Sequence, residues 1–102
     1  MRGVAVTEAP IDAISLEALY SGLGCRHILA MNGLKKSTPR TYLEEFPHPN
    51  SVFLCLDSDT PGVRTARELE VELKATRDVA ALSPPTGNKD WNKLLVALGR
   101  GN

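Results

Sequence analysis

Asp57 and Asp59 stand two positions apart, directly after the apolar run Val52-Phe53-Leu54-Cys55-Leu56, and Glu8 stands directly after the run Gly3-Val4-Ala5-Val6-Thr7. In an extended segment, residues two apart project to the same side. Two carboxylates ~5 Å apart at an effective dielectric of ~20 repel by roughly 3 kcal/mol, and a third acid adds to that. No Lys or Arg adjoins these acids in sequence; beyond Asp59 the nearest are Arg64 and Arg67. A divalent cation removes the repulsion, and hard oxygen donors suit Mg²⁺ or Mn²⁺. The chemistry this predicts is metal-assisted phosphoryl or nucleotidyl transfer.

These acids work together only if the fold brings them to one place, and the periodicity of the chain says how. Gly3 to Thr7 reads as a strand. Pro10 then opens a helix whose apolar stripe is Ile11, Ile14 and Ala18, flanked by Leu16 and Leu19, and Gly22 and Gly24 end it. His27 to Met31 is a second strand, and Asn32-Gly33 is a turn. A helix follows to Glu45, with Thr38 as cap and Pro39 at its first position, stopped by Pro47 and Pro49. Val52 to Leu56 is apolar throughout, as expected of a parallel strand covered on both faces. Pro61 to about Ala75 is helical, Asp78 to Leu82 is a weaker strand, and Asp90 to Leu98 is a short helix ending at Gly99. Strand–helix alternation of this kind predicts an α/β fold, about four mostly parallel strands with helices on both faces. Ligands of such sheets bind beyond the carboxyl ends of the strands. Glu8, Asp57 and Asp59 all fall on that rim, provided the first and third strands are neighbours.

Each of these residues also has a purely structural reading. Asp59 or Thr60 suits the cap of the helix opening at Pro61, but capping leaves Asp57 unexplained. Asp12 lies in a first helical turn, where the macrodipole favours an acid, and Glu8 sits just before that turn. Asp90 resembles the cap of the last helix. Trp91 is expected to pack that helix on the core. The basic residues Arg26, Lys35, Lys36 and Arg40, together with His27, cluster around the second strand and the helix after it. Lys35 and Lys36, with Arg64 beyond the acidic loop, are candidates for phosphate contacts; the alternative is a solvated face.

Composition narrows the class. The chain has 102 residues, with 12 basic and 12 acidic side chains, 42% hydrophobic and 24% charged residues. That is one globular domain, and apolar content is too high for a disordered chain without net charge. No apolar run approaches the ~20 residues of a membrane span, and the N-terminus does not read as a signal peptide. Neutral balance argues against holding nucleic acid by bulk charge. Cys25 and Cys55 form no CxxC, Cys55 reads as a buried small hydrophobe, and a reduced, cytoplasmic setting is expected. His27 and His48 lack the spacing of a zinc site.

An Asp-x-Asp after one parallel strand, combined with a Glu after another, resembles the Toprim domain of bacterial primases, topoisomerases, OLD-type nucleases and a bacterial recombination protein. The resemblance covers roughly residues 3 to 98. Its first motif is matched by Val4-Ala5-Val6-Thr7-Glu8-Ala9-Pro10-Ile11-Asp12, and its second, DxDxxG, by Asp57-Ser58-Asp59-Thr60-Pro61-Gly62. A tail found in primase-like and mobile-element members is matched by Gly87-Asn88-Lys89-Asp90-Trp91-Asn92-Lys93. The resemblance implies that Glu8 is the general acid or base and that Asp57 and Asp59 hold Mg²⁺. Asp12 would support them, as would Asp90 of the tail by reaching the metal or the incoming phosphate, and Gly62 would let the loop turn into the helix. It implies action on DNA or RNA with nucleotides as substrates, in a primase-like or mobile-element protein, with residues 1–102 as a single domain or module beside other domains. A metal-dependent nuclease and a non-catalytic binding module are the alternatives. Two positions depart from the pattern: Ala9 stands where glycine is usual, and Lys93 where Asp is common. A phosphatase or receiver domain of the acidic-pocket type fits less well, because its nucleophilic Asp follows the first strand and here that residue is Glu.

Overall fold

The structure, a computed structural model, describes residues 3–20, 27–46, 51–85 and 88–100. Four strands and four helices alternate: β1 (Gly3–Thr7), α1 (Pro10–Tyr20), β2 (His27–Ala30), α2 (Ser37–Glu45), β3 (Ser51–Cys55), α3 (Thr60–Leu73), β4 (Asp78–Ala81) and α4 (Trp91–Arg100). All strand pairs are parallel, and the order across the sheet is β2-β1-β3-β4. The first and third strands are therefore neighbours, with Val4 opposite Val52 and Thr7 opposite Cys55. The chain steps from β1 to one side and from β2 back past it, so the switch point lies between β1 and β3. In sheets of this order, that is where ligands sit.

Alternate residues of β1 and β3 feed two cores. Val4, Val6, Val52 and Leu54 meet Leu43 of α2 and Ala66, Leu69 and Leu73 of α3 on one face. Ala5 and Cys55 meet Leu16 of α1 and Trp91 and Leu94 of α4 on the other. Burying side chains of this size contributes about 1.5–3 kcal/mol each, so the two central strands are the rigid platform from which Glu8 and Asp57 project. Cys55 is buried, as the apolar run predicts.

The structure revises several boundaries. α1 turns Asp12, Ser15 and Leu16 inward, while Ile11, Ile14 and Ala18 face solvent. The helix is apolar almost all round, so its periodicity selects no face. Partners decide: Asp12 and Ser15 find theirs on α4. Thr38 does not cap α2. The chain is already helical at Lys36, which occupies the cap position with no side-chain cap bond, and Thr38 donates its backbone N–H to Lys35 O at 3.0 Å. β2 stops at Ala30, but Met31 stays buried and its N–H reaches Thr7 O at 2.8 Å. α4 runs through Gly99 to Arg100. Gly22, Gly24, Cys25, Arg26, Pro47, His48, Pro49, Thr86 and Gly87 lie outside the described residues. None of the described helices is long and apolar enough to cross a membrane.

Candidate active site

Glu8 leaves β1 at the carboxyl rim, and its backbone is held from the neighbouring strand. Gly33 N–H donates to Glu8 O at 2.8 Å. That grip depends on the Asn32-Gly33 turn, where both residues have positive φ (60° and 106°), a conformation glycine adopts freely and Asn tolerates. The turn that the sequence shows only as punctuation is thus a clamp on the acid-bearing loop.

Asp57 leaves β3 beside it and is buried. Asp59 opens α3 as its N-cap, with Oδ1 accepting from Gly62 N–H at 2.9 Å. The capping reading of Asp59 is therefore correct. Gly62 lies in the first turn of α3, and close approach explains its lack of a side chain. A Cβ there would come within 2.4 Å of Asp57 O and 2.9 Å of Asp59 Oδ1. The glycine is required because helix and acidic loop touch, and it has no positive φ.

The segment before α4 fastens this loop. Ser58 donates its backbone N–H to Lys89 O at 2.8 Å and its hydroxyl to Asn88 O at 2.9 Å. Trp91 is buried, as predicted, and its indole N–H donates to Cys55 O at 2.9 Å, at the very end of β3. Asn92 N–H donates to Asp12 Oδ1 at 3.2 Å, and Lys93 N–H donates to Asp90 Oδ1 at 2.8 Å. Asp90 therefore caps α4 from within, while Asp12 caps it from α1. A tail far away in sequence becomes a strap across the rim.

The strap also delivers a cation that sequence neighbourhood conceals. Lys89 Nζ lies 3.7 Å from Asp59 Oδ2, with its side chain more than half exposed. The only sequence signal for it was its place in the tail motif. The basic cluster near β2 is arranged differently from a free phosphate surface. Lys36 pairs with Glu68 at 2.8 Å, and Arg40 forks onto Glu72 at 2.6 and 2.7 Å, joining α2 to α3. Lys35 and Arg64 are exposed.

Electrostatically the rim is under tension. Burial pushes the Asp57 carboxyl up to about 7, and the negative charges of Glu8, Asp12, Asp90 and Asp59 push it the same way. Burial and then Asp59 raise Glu8, partly offset by a hydrogen bond from the Asp57 backbone and by Lys89. Asp12 is raised chiefly by burial, against backbone hydrogen bonds from Asn92 and Trp91. Glu8 Oε1 and Asp57 Oδ1 are buried with no hydrogen-bond partner among the described residues. An unpaired buried carboxylate oxygen is destabilising, and a cation that accepts such oxygens relieves it.

Among the described residues, no three His, Cys, Asp or Glu side chains converge closely enough to enclose a metal by themselves. A hard cation such as Mg²⁺ does not need that: one or two carboxylates, waters and a substrate phosphate complete its shell. The two orphaned oxygens, on hard donors at one rim, fit such an ion.

A sequence profile described as Toprim-like matches residues 5–95. The chain belongs to the Toprim-like family. The match runs from within β1 to within α4 and so includes both acid-bearing loops and the strap. Toprim-like domains typically bind a divalent metal, and their activity is nucleic-acid-related. No curated protein matches the chain. Against the Toprim pattern, Ala9 costs no backbone freedom, because among the described non-glycine residues only Asn32 has positive φ. Lys93 places an exposed side chain where the pattern often has an acid, and only its backbone N–H bonds to Asp90.

Proposed function

We propose that this domain catalyses nucleotidyl transfer on nucleic acid with Mg²⁺ or Mn²⁺, in a primase-like or mobile-element protein whose other domains hold template and nucleotide. The supporting observation is the pair of buried, unpartnered oxygens, Glu8 Oε1 and Asp57 Oδ1, at the ends of adjacent parallel strands. Glu8 and Asp57 would hold the ion. Asp59, with Oδ1 committed to the α3 cap and Oδ2 facing the Lys89 ammonium, would support them by exchanging that exposed ion pair for the ion. When bound, such an ion polarises a phosphoryl oxygen and stabilises charge developing at phosphorus.

The rest falls to the chain itself. Glu8 would take the proton of an attacking hydroxyl through the carboxylate oxygen that the ion leaves free. Lys89, tethered to the Asp57–Asp59 loop through Ser58, would offer an exposed positive charge to incoming phosphate. The Gly33 clamp and the strap keep the two acidic loops in place. The same Glu8 oxygen would serve equally if the attacking hydroxyl came from water, which is the nuclease reading.

Primer synthesis on a single-stranded template and cleavage of a labelled duplex and single strand, each with Mg²⁺ or Mn²⁺, test the proposal. Metal-dependent incorporation that is lost in Glu8→Gln and Asp57→Asn supports transfer. Cleavage lost in the same variants supports the nuclease. Metal-dependent binding with neither reaction would leave the domain as a binding module and overturn both.

A further inference from the structure

The side of α3 that faces away from the sheet carries a hollow of about 450 Å³ lined by Ser58, Thr60, Val63, Arg64, Arg67 and Glu68. It begins at the residue between the two rim aspartates and runs along the helix. Arg64 and Arg67 are exposed and form no ion pair or hydrogen bond with the described residues. Three apart on a helix, they are neighbours on its surface, about 5–6 Å between Cβ atoms. Glu68, the one acid in the hollow, feels the charge of Arg64 but pairs with Lys36 from α2. The cations near β2 that sequence points to first are otherwise placed: Lys36 and Arg40 are engaged in α2–α3 ion pairs. Among the described residues beside the Asp57–Asp59 loop, Arg64 and Arg67 of α3 carry exposed positive charge without an ion pair.

We propose that this groove seats one strand of the nucleic-acid substrate, its phosphates on Arg64 and Arg67, running from α3 to the Asp57–Asp59 loop. The inference rests on the functional reading above and names the substrate path for that site. Three features favour a phosphodiester strand over another anion. Guanidinium forks match phosphate oxygens in a planar, bidentate fashion. The groove starts at Ser58, between the two rim aspartates, whose charge repels a carboxylate-rich peptide but receives phosphate together with a metal ion. The chain has no net charge, so binding must come from a local track. The hollow is small-ligand sized, which suits a single strand better than a duplex.

Fluorescence anisotropy with a labelled oligothymidylate in EDTA, over a salt series, tests the path without any metal. The variant is Arg64→Glu/Arg67→Glu; Lys35→Glu/Lys74→Glu, at two exposed lysines outside the groove lining, carries the same change in net charge. Losing two single-strand phosphate contacts lowers the salt slope by about 1.4, and low-salt affinity should drop at least tenfold. Arg64→Lys/Arg67→Lys should keep most of the slope, and melting curves establish that each variant folds. Equal losses in the two charge-reversed variants, no loss in the α3 variant, no binding by the wild type, or tighter binding of duplex than of single strand would overturn the proposal. Asp57→Asn tests the metal reading separately: failure there shows as an unchanged response to Mg²⁺ while the EDTA arm still binds.

Discussion

Replacing Asp57 by Asn should make the metal-free protein more stable above neutral pH, although the change removes a buried site residue. Burial and the acids around it move this carboxyl from 3.8 to about 7. A tenfold change in proton affinity is worth about 1.4 kcal/mol, so the charged form is disfavoured by up to about 4 kcal/mol; water at the open rim screens that to ~1–2 kcal/mol. A group whose folded pKa is raised binds its proton more tightly in the folded state than in the unfolded one. Its contribution to stability is therefore fully present below about pH 4 and is lost as pH rises through about 7. In EDTA, wild-type melting temperature should fall between about pH 5 and pH 8 by more than that of Asp57→Asn. At about pH 8 the variant should melt about 5–10 °C higher, since 1 kcal/mol moves a domain of this size by about 4–8 °C. Millimolar Mg²⁺ should restore the wild type and leave the variant unmoved. Parallel pH curves for the two proteins, or a variant less stable than wild type in mild alkali, would refute the electrostatic account of the rim.

Gly62→Ala should destabilise by about 1–3 kcal/mol, because its Cβ lands 2.4 Å from Asp57 O; a change below about 0.5 kcal/mol in urea unfolding would show that the loop yields freely. Asp12→Ala strips the start of α4 of its acceptor on α1 and should cost about 1–3 kcal/mol, with faster amide exchange in the first turn of α4 while β1 stays protected. Lys89→Ala removes an exposed ion pair worth at most about 1 kcal/mol, so stability should barely change. Mg²⁺ binding by calorimetry, without nucleic acid, should become several-fold tighter once the competing ammonium is gone; weaker binding would mean that Lys89 organises the carboxylates.

Strand–helix alternation was legible because parallel strands buried on both faces must be continuously apolar, and Val52–Leu56 is. The rim acids were legible for the opposite reason: Asp57 follows an apolar strand where no fold requirement calls for charge. The inward face of α1 was not legible, since a helix apolar all round has no preferred side until a partner arrives. Thr38 misled because cap preference is a local tendency, and the chain had turned helical before reaching it. Gly62 pointed correctly to a constraint, but only the folded arrangement makes it a contact with Asp57 O.

By itself, the sequence determined the order of elements, the sheet type and the three acids destined for its carboxyl rim. These follow from periodicity and from bonds between near neighbours, which every stretch of chain carries with it. Tertiary structure alone decided that β1 lies against β3, that Asn32-Gly33 grips Glu8, that Lys89 reaches Asp59 and that Lys36 and Arg40 are taken up by α3. Such pairings join residues far apart along the chain, and they exist only once the two cores on either face of the sheet have closed.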